Sequence, residues 1–146
     1  MSTSALGSAL DSLVAGLDAL AALEGVVVNS ADISIEEGGT EAIVLGDCEL
    51  EEVELTMGGG RLETWTVDGA IRITRPWAGT TETTIKAARD RALAVFAALE
   101  TYLNDTYTGS VPDITLQSAT VNQYPDPEQR VCVVLFTLKI VNTKNP

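Results

Sequence analysis

RVCVVLFTLKIV, residues 130–141, repeats an apolar side chain with a period of two from Cys132 to Ile140. Cys132, Val134, Phe136, Leu138 and Ile140 place an apolar side chain at every even position, while Thr137 and Lys139 interrupt the other face. A period of two held over this length predicts a long central or near-central antiparallel strand. Just upstream, ITLQSATV (114–121) reads as a second strand, joined to the first through the turn-rich Tyr124-Pro125-Asp126-Pro127. Before that pair the period changes. Ile85, Ala88, Ala92, Val95, Phe96, Leu99 and Leu103 fall on one stripe of a helix that ends near Asn104-Asp105. Thr80, Thr81 and Thr83 offer capping oxygens, and Glu82 suits the positive end of that helix.

Moving outward, RLETWTVDGAIRITRPW (61–77) has period-two character, with Trp65, Val67, Ile71 and Ile73 apolar and Asp68-Gly69 a candidate bulge or bend. Pro76 and Gly79 end it. Residues 49–56 alternate loosely, with Val53 and Leu55 expected inward and Glu52 and Glu54 outward. Met57-Gly58-Gly59-Gly60 supplies a flexible connection. The two runs are expected to pair as a long hairpin reaching beyond the body of the domain. EAIVL (41–45) reads as a strand with a buried centre, and VVVN (26–29) and ADISI (31–35) as short strands. Leu6, Leu10, Leu13, Leu17 and Leu20 recur at helical spacing ahead of Gly25, a left-handed stop.

The order helix, strands, helix, two strands shows no repeated βαβ unit and no internal repeat. It predicts an α+β fold: a mostly antiparallel β-sheet with two α-helices packed on one face and a long β-hairpin or loop extension. The 146 residues suit one domain over 1–146, and 45% hydrophobic with 21% charged residues is ordinary globular composition.

Composition also removes functions. Zero His takes away the usual general base, the usual zinc ligand and every Ser-His or Cys-His nucleophile pair. Phosphate loops, dinucleotide fingerprints, nucleophile elbows and EF-hand loops are absent from the sequence, so no cofactor, metal or catalytic residue is assigned. Abundant carboxylates would permit acid–base chemistry, but a glycoside cleft needs more aromatic residues than two Trp, three Tyr and two Phe. A net charge of −12 disfavours a grip on nucleic acid. The opening residues carry Asp11 and Asp18 and no basic segment, and no apolar run approaches the ~20 residues that span a bilayer, so a soluble cytoplasmic chain without membrane contact is expected. Cys132 reads as a small buried hydrophobe and Cys48 as partly exposed, with a disulfide between them disfavoured in a reducing cytosol.

Charge is segregated along the chain. The first 60 residues carry 12 acids and no base, whereas the rest carries nine of each. Single acids solubilise a surface. The cluster Glu49, Glu51, Glu52 and Glu54 is denser than that requires and invites a basic partner. Arg61, Arg72 and Arg75 could neutralise it within the subunit, or meet it from a neighbouring copy in a head-to-tail ring. Trp77 suits either hinge packing or an interface anchor.

Taken together, the leucine-rich helix running into Gly25-Val26-Val27-Val28, the segment Ile43-Val44-Leu45-Gly46-Asp47, the helix core Ala87-Ala88-Arg89-Asp90-Arg91-Ala92-Leu93-Ala94 and the last strand carry a likeness. Over nearly its full length the chain resembles the tail terminator (tail completion, head-tail joining) proteins of long, non-contractile-tailed bacteriophages, especially those of actinobacterial hosts. The acidic run 49–54 and Arg75-Pro76-Trp77 depart from that pattern. The resemblance implies a virion structural protein without catalysis. It would assemble in the host cytoplasm as a homo-oligomeric ring, usually a hexamer, that caps the tail tube and stops its growth. Its partners would be the tail-tube protein and the head-tail connector or stopper, with DNA passing through unbound. Glu49, Glu51, Glu52, Glu54, Arg61, Arg72, Arg75 and Trp77 are then the candidate subunit-interface, partner or lumen residues. Another neck or tail-tube component, or a small acidic ligand-binding domain or enzyme, are the alternatives.

Overall fold

The structure, a computed structural model, describes residues 6–29, 41–55, 58–76, 81–107, 112–125 and 129–144. In chain order these form α1 (Leu6–Asp18), a 3-10 turn (Ala21–Leu23), β1 (Val27–Asn29), β2 (Glu41–Leu55), β3 (Arg61–Pro76), α2 (Thr81–Thr106), β4 (Asp113–Pro125) and β5 (Gln129–Lys144). The five strands make one sheet in the order β1-β2-β3-β5-β4. Only the β1–β2 pair is parallel. The β2–β3, β3–β5 and β4–β5 pairs are antiparallel. The α+β architecture is as the sequence predicts.

The period-two reading of β5 holds residue by residue, since Cys132, Val134, Phe136, Leu138 and Ile140 are all buried. Across the ladder they face Ile73, Ile71, Gly69, Val67 and Trp65 of β3, so one face of the sheet becomes an apolar platform. Both helices settle on that face. Leu13 and Leu17 of α1 and Ala88, Ala92, Val95, Leu99 and Leu103 of α2 close a single core with Ile43, Leu45 and Ile114. Each of the fully buried Leu and Ile side chains contributes about 1.5–3 kcal/mol relative to exposure. Small residues set the closest approaches. A Cβ on Gly16 of α1 would lie 1.7 Å from the Tyr102 hydroxyl of α2, and one on Gly69 would lie 2.4 Å from Phe136 Cζ.

Several local expectations are corrected. Glu41–Leu55 is one strand rather than two, because β-bulges carry it past Gly46. Gly46 and Asp47 together oppose the single Asp68, so the bulge lies across from Asp68-Gly69 and not within it. A second irregularity sets Glu51 between Leu50, opposite Trp65, and Glu52, opposite Thr64. The hairpin also does not stand alone, since β5 accompanies β3 out to the Arg61–Lys144 pair. Gly58 and Gly59, at φ 91° and 86°, supply the left-handed backbone that reverses the chain between β2 and β3. Gly25 (φ 85°) likewise follows the 3-10 turn, whereas α1 stops at Asp18. Residues 31–35 lie outside the described residues. No helix among the described residues is long and apolar enough to cross a membrane.

Candidate functional site: an acidic sheet edge

The far half of β2 is the least covered part of the sheet. From Gly46 to Leu55 every residue is exposed. Val53 (42% exposed) and Leu55 (81%) therefore do not turn into the core as expected, and Leu50 (41%) joins them at the surface. The physical reason is the position of the strand. The β1 pairing reaches only Ala42–Val44, and Leu45 is the last buried residue of β2. Beyond it, β2 has a strand on one side only among the described residues.

Register assigns the faces. Leu50, Val53 and Leu55 stand opposite Trp65, Glu63 and Arg61, on the helix-bearing face. Glu49, Glu52 and Glu54 stand opposite Thr66, Thr64 and Leu62, on the other face. Glu51 accepts a hydrogen bond from Thr66 Oγ1 at 3.2 Å. The arrangement is a strip of carboxylates on one side of an open edge and a strip of exposed apolar side chains on the other.

The arginines named from sequence are engaged elsewhere. Arg61 Nη2 meets Glu63 Oε2 at 2.8 Å, and the buried Glu63 also accepts from Trp65 Nε1 at 3.5 Å. Arg75 is paired to Glu41. Arg72 is half-buried, and its Nη2 has no hydrogen-bond partner among the described residues. Neutralisation of the Glu49–Glu54 cluster within the subunit, one of the two routes open from sequence, is thus not realised among the described residues. Trp77 lies outside them.

Sequence reasoning missed the ionic cluster at the opposite end of the sheet. Glu41, at the start of β2, takes a bidentate grip from Arg91 of α2 (Nε to Oε2 3.0 Å, Nη2 to Oε1 2.9 Å) together with Arg75 of β3. Partial burial pulls the Glu41 carboxyl up, but hydrogen bonds from Arg91 and Arg75, with their charges, outweigh it and hold the pKa below the usual range. The cluster ties helix to sheet. Its only signal in the sequence was an Arg off the apolar stripe of α2.

Among the described residues, no metal-binding cluster accompanies the edge. Cys48 and Cys132 are both free, one exposed and one buried. Partial burial, then the charges of Asp47 and Asp68, push the Cys48 thiol up, away from nucleophilic reactivity. An open groove of about 540 Å³ lies between the 3-10 turn and α2, lined by Leu20, Ala22, Ala97, Ala98, Thr101, Tyr102, Asp105 and Thr106. Asp105 is the one carboxylate among the described residues of that lining, so they do not assemble convergent acids for acid–base work.

No protein-family model and no curated protein matches the chain. Among solved structures, it is similar to a chain of the virion of a native gene transfer agent particle. The two share 20% identity with a TM-score of 0.55, over 97% of this chain and 100% of that chain. At this identity the likeness is one of fold.

Proposed function

We propose that the chain is a structural protein of a phage-like virion, and within that class a tail terminator. It forms a ring on the finished tail tube, stops polymerisation there and presents a surface to the head connector. The observation that carries this reading is the end-to-end likeness in fold to a chain of a gene transfer agent virion. A likeness spanning both chains speaks for a shared architecture rather than a shared fragment. The exposed edge of β2 supports it, because a ring subunit needs lateral surfaces that stay uncovered until its neighbours arrive. The carboxylates of Glu49, Glu52 and Glu54 suit a channel through which DNA slides, since like charge keeps phosphates from sticking.

The native mass of the purified protein, with negative-stain images of the same sample, tests the proposal. Discrete rings, hexameric in the expected case, support it. Open-ended tubes would identify a tail-tube component instead. A monomer that binds a small molecule in the groove beside Tyr102 would move the reading to a ligand-binding domain. Within a ring-forming protein, Glu51→Lys with Glu52→Lys tests the role of the acidic strip: unchanged tail joining and DNA ejection would refute it.

A further inference from the structure

We propose that β2, beyond its first bulge, pairs edge to edge with β4 of a second copy of this chain, so that the sheets of successive copies run on as one. The proposal rests on the ring reading and names its lateral contact. Sheet topology carries the first part of the argument. β2 and β4 bound the sheet at opposite sides, with β1 covering only Ala42–Val44 of β2. Three antiparallel pairings separate them, so β4 runs opposite to β2. A copy generated by rotation about an axis along the strands keeps its strand directions. Its β2 therefore arrives antiparallel to β4, the more favourable ladder. Two different edges also make a head-to-tail contact, the kind that closes rings.

Side chains carry the second part. Natural edge strands are guarded by charge, chiefly Lys. β4 has no Lys, Arg or Glu and a single Asp at its first position, and Gln117 to Val121 are exposed. β2 is guarded by carboxylates alone, so β2 against β2 would set acid on acid while β4 offers no such repulsion. The cation is in place at the matching level. Glu49, Thr66, Lys139 and Thr115 form one row across β2, β3, β5 and β4 on the helix-free face. Lys139 is exposed, makes no ion pair among the described residues and stands beside the β4 edge. Glu49 of the arriving copy comes to that level. On the helix face the exposed Leu50 and Val53 gain cover from the neighbour.

The test is sedimentation equilibrium of the full chain over a range of concentrations at low salt. Thr115→Glu places a carboxylate on the β4 edge beside Lys139, where the fold accepts it as a cross-strand ion pair. It is expected to weaken association by about tenfold or more. Adding Glu49→Lys restores association, and Thr115→Lys alone at least preserves it. Should Thr115→Glu fail to fold by circular dichroism, Lys139→Glu carries the same expectation from an exposed position. A chain that stays monomeric at every concentration overturns the edge pairing, as do multimers indifferent to the substitution and a weakened one that Glu49→Lys leaves unrestored. Discrete rings indifferent to Thr115→Glu would overturn the edge pairing and leave the terminator reading standing. Open tubes that are sensitive to it would do the reverse.

Discussion

Gly69 lies under the ring of Phe136, and replacing it with Ala reverses the usual sign of that substitution. In a strand, Gly→Ala ordinarily gains about 0.5–1 kcal/mol, because glycine loses more backbone freedom on folding. Here the new Cβ would sit 2.4 Å from Cζ, 2.5 Å from Cε2 and 3.1 Å from Cε1 of Phe136. Carbon atoms rest at about 3.5–4.0 Å, so the ring must move by about 1 Å. It has little room to do so. Phe136 is only 3% exposed, with Val134 and Leu138 beside it on the same strand face and Gly69 and Ala119 across the ladder. Overpacking of this kind costs about 1–3 kcal/mol, which cancels the backbone gain at its low end and leaves a net loss of up to about 2.5 kcal/mol at its high end. For a chain of this size that is a fall in Tm of up to about 10 °C. The assay is a double-mutant cycle by urea and thermal melts. In a Phe136→Leu background the obstructing ring atoms are gone, and Gly69→Ala is expected to be neutral or stabilising. A coupling of at least about 1 kcal/mol follows. Additive effects, or a stabilising Gly69→Ala in the unaltered chain, would refute the packing argument.

Two further perturbations address the electrostatics. Glu41→Gln is expected to cost about 1–3 kcal/mol near neutral pH, because it strips the charge from an acceptor shared by Arg75 and Arg91. The folded-state pKa of Glu41 is lowered, so its contribution is fully present above the ordinary carboxylate pKa and disappears as pH falls through the lowered one. Urea melts of the two proteins should therefore converge in acid; a gap independent of pH would refute the ionic account. Cys48, although exposed, is expected to alkylate more slowly at mildly alkaline pH than an unhindered thiol, and Asp68→Asn to raise its rate by removing one of the charges that lift its pKa. Timed labelling read by mass spectrometry checks both, with Cys132 unreactive until the protein unfolds.

Most of the fold was legible because its strongest signals are periodic. β5 and α2 each repeat one face over many residues, and a repeat of that length leaves little freedom in what packs where. The path of β2 was harder. A bulge adds a residue without any compositional mark, so alternation read across Gly46-Asp47 and Glu51 loses its phase. Val53 and Leu55 were misplaced for a different reason: apolar residues on an uncovered edge look like core residues until the neighbouring elements are placed. The acidic cluster was visible as composition, but that no arginine neutralises it among the described residues was not. Whether Arg61 and Arg75 turn toward Glu63 and Glu41 or toward the hairpin depends on register and on α2, neither of which a charge count contains. The same limit hid the Glu41–Arg91 grip, whose partners lie 50 residues apart in sequence.

The strand order has a consequence for how the chain is made. β3 lies in the middle of the sheet, yet one of its two neighbours is β5, the last strand in chain order. As the polypeptide leaves the ribosome, β2 and β3 can close their hairpin early, and α2 follows at once to cover part of their apolar face. The other side of β3 then stays open while α2 and β4 are synthesised. β4 offers no relief, since its own place in the sheet exists only after β5 has docked. For that interval the nascent chain carries a long unpaired border lined by Val67, Ile71 and Ile73, in a protein built from sequence-distant pairings that form slowly. Nascent copies crowded on one message can meet through that border before any of them is finished. Expression at reduced translation rate or with abundant chaperone is the condition under which this chain should be recovered soluble.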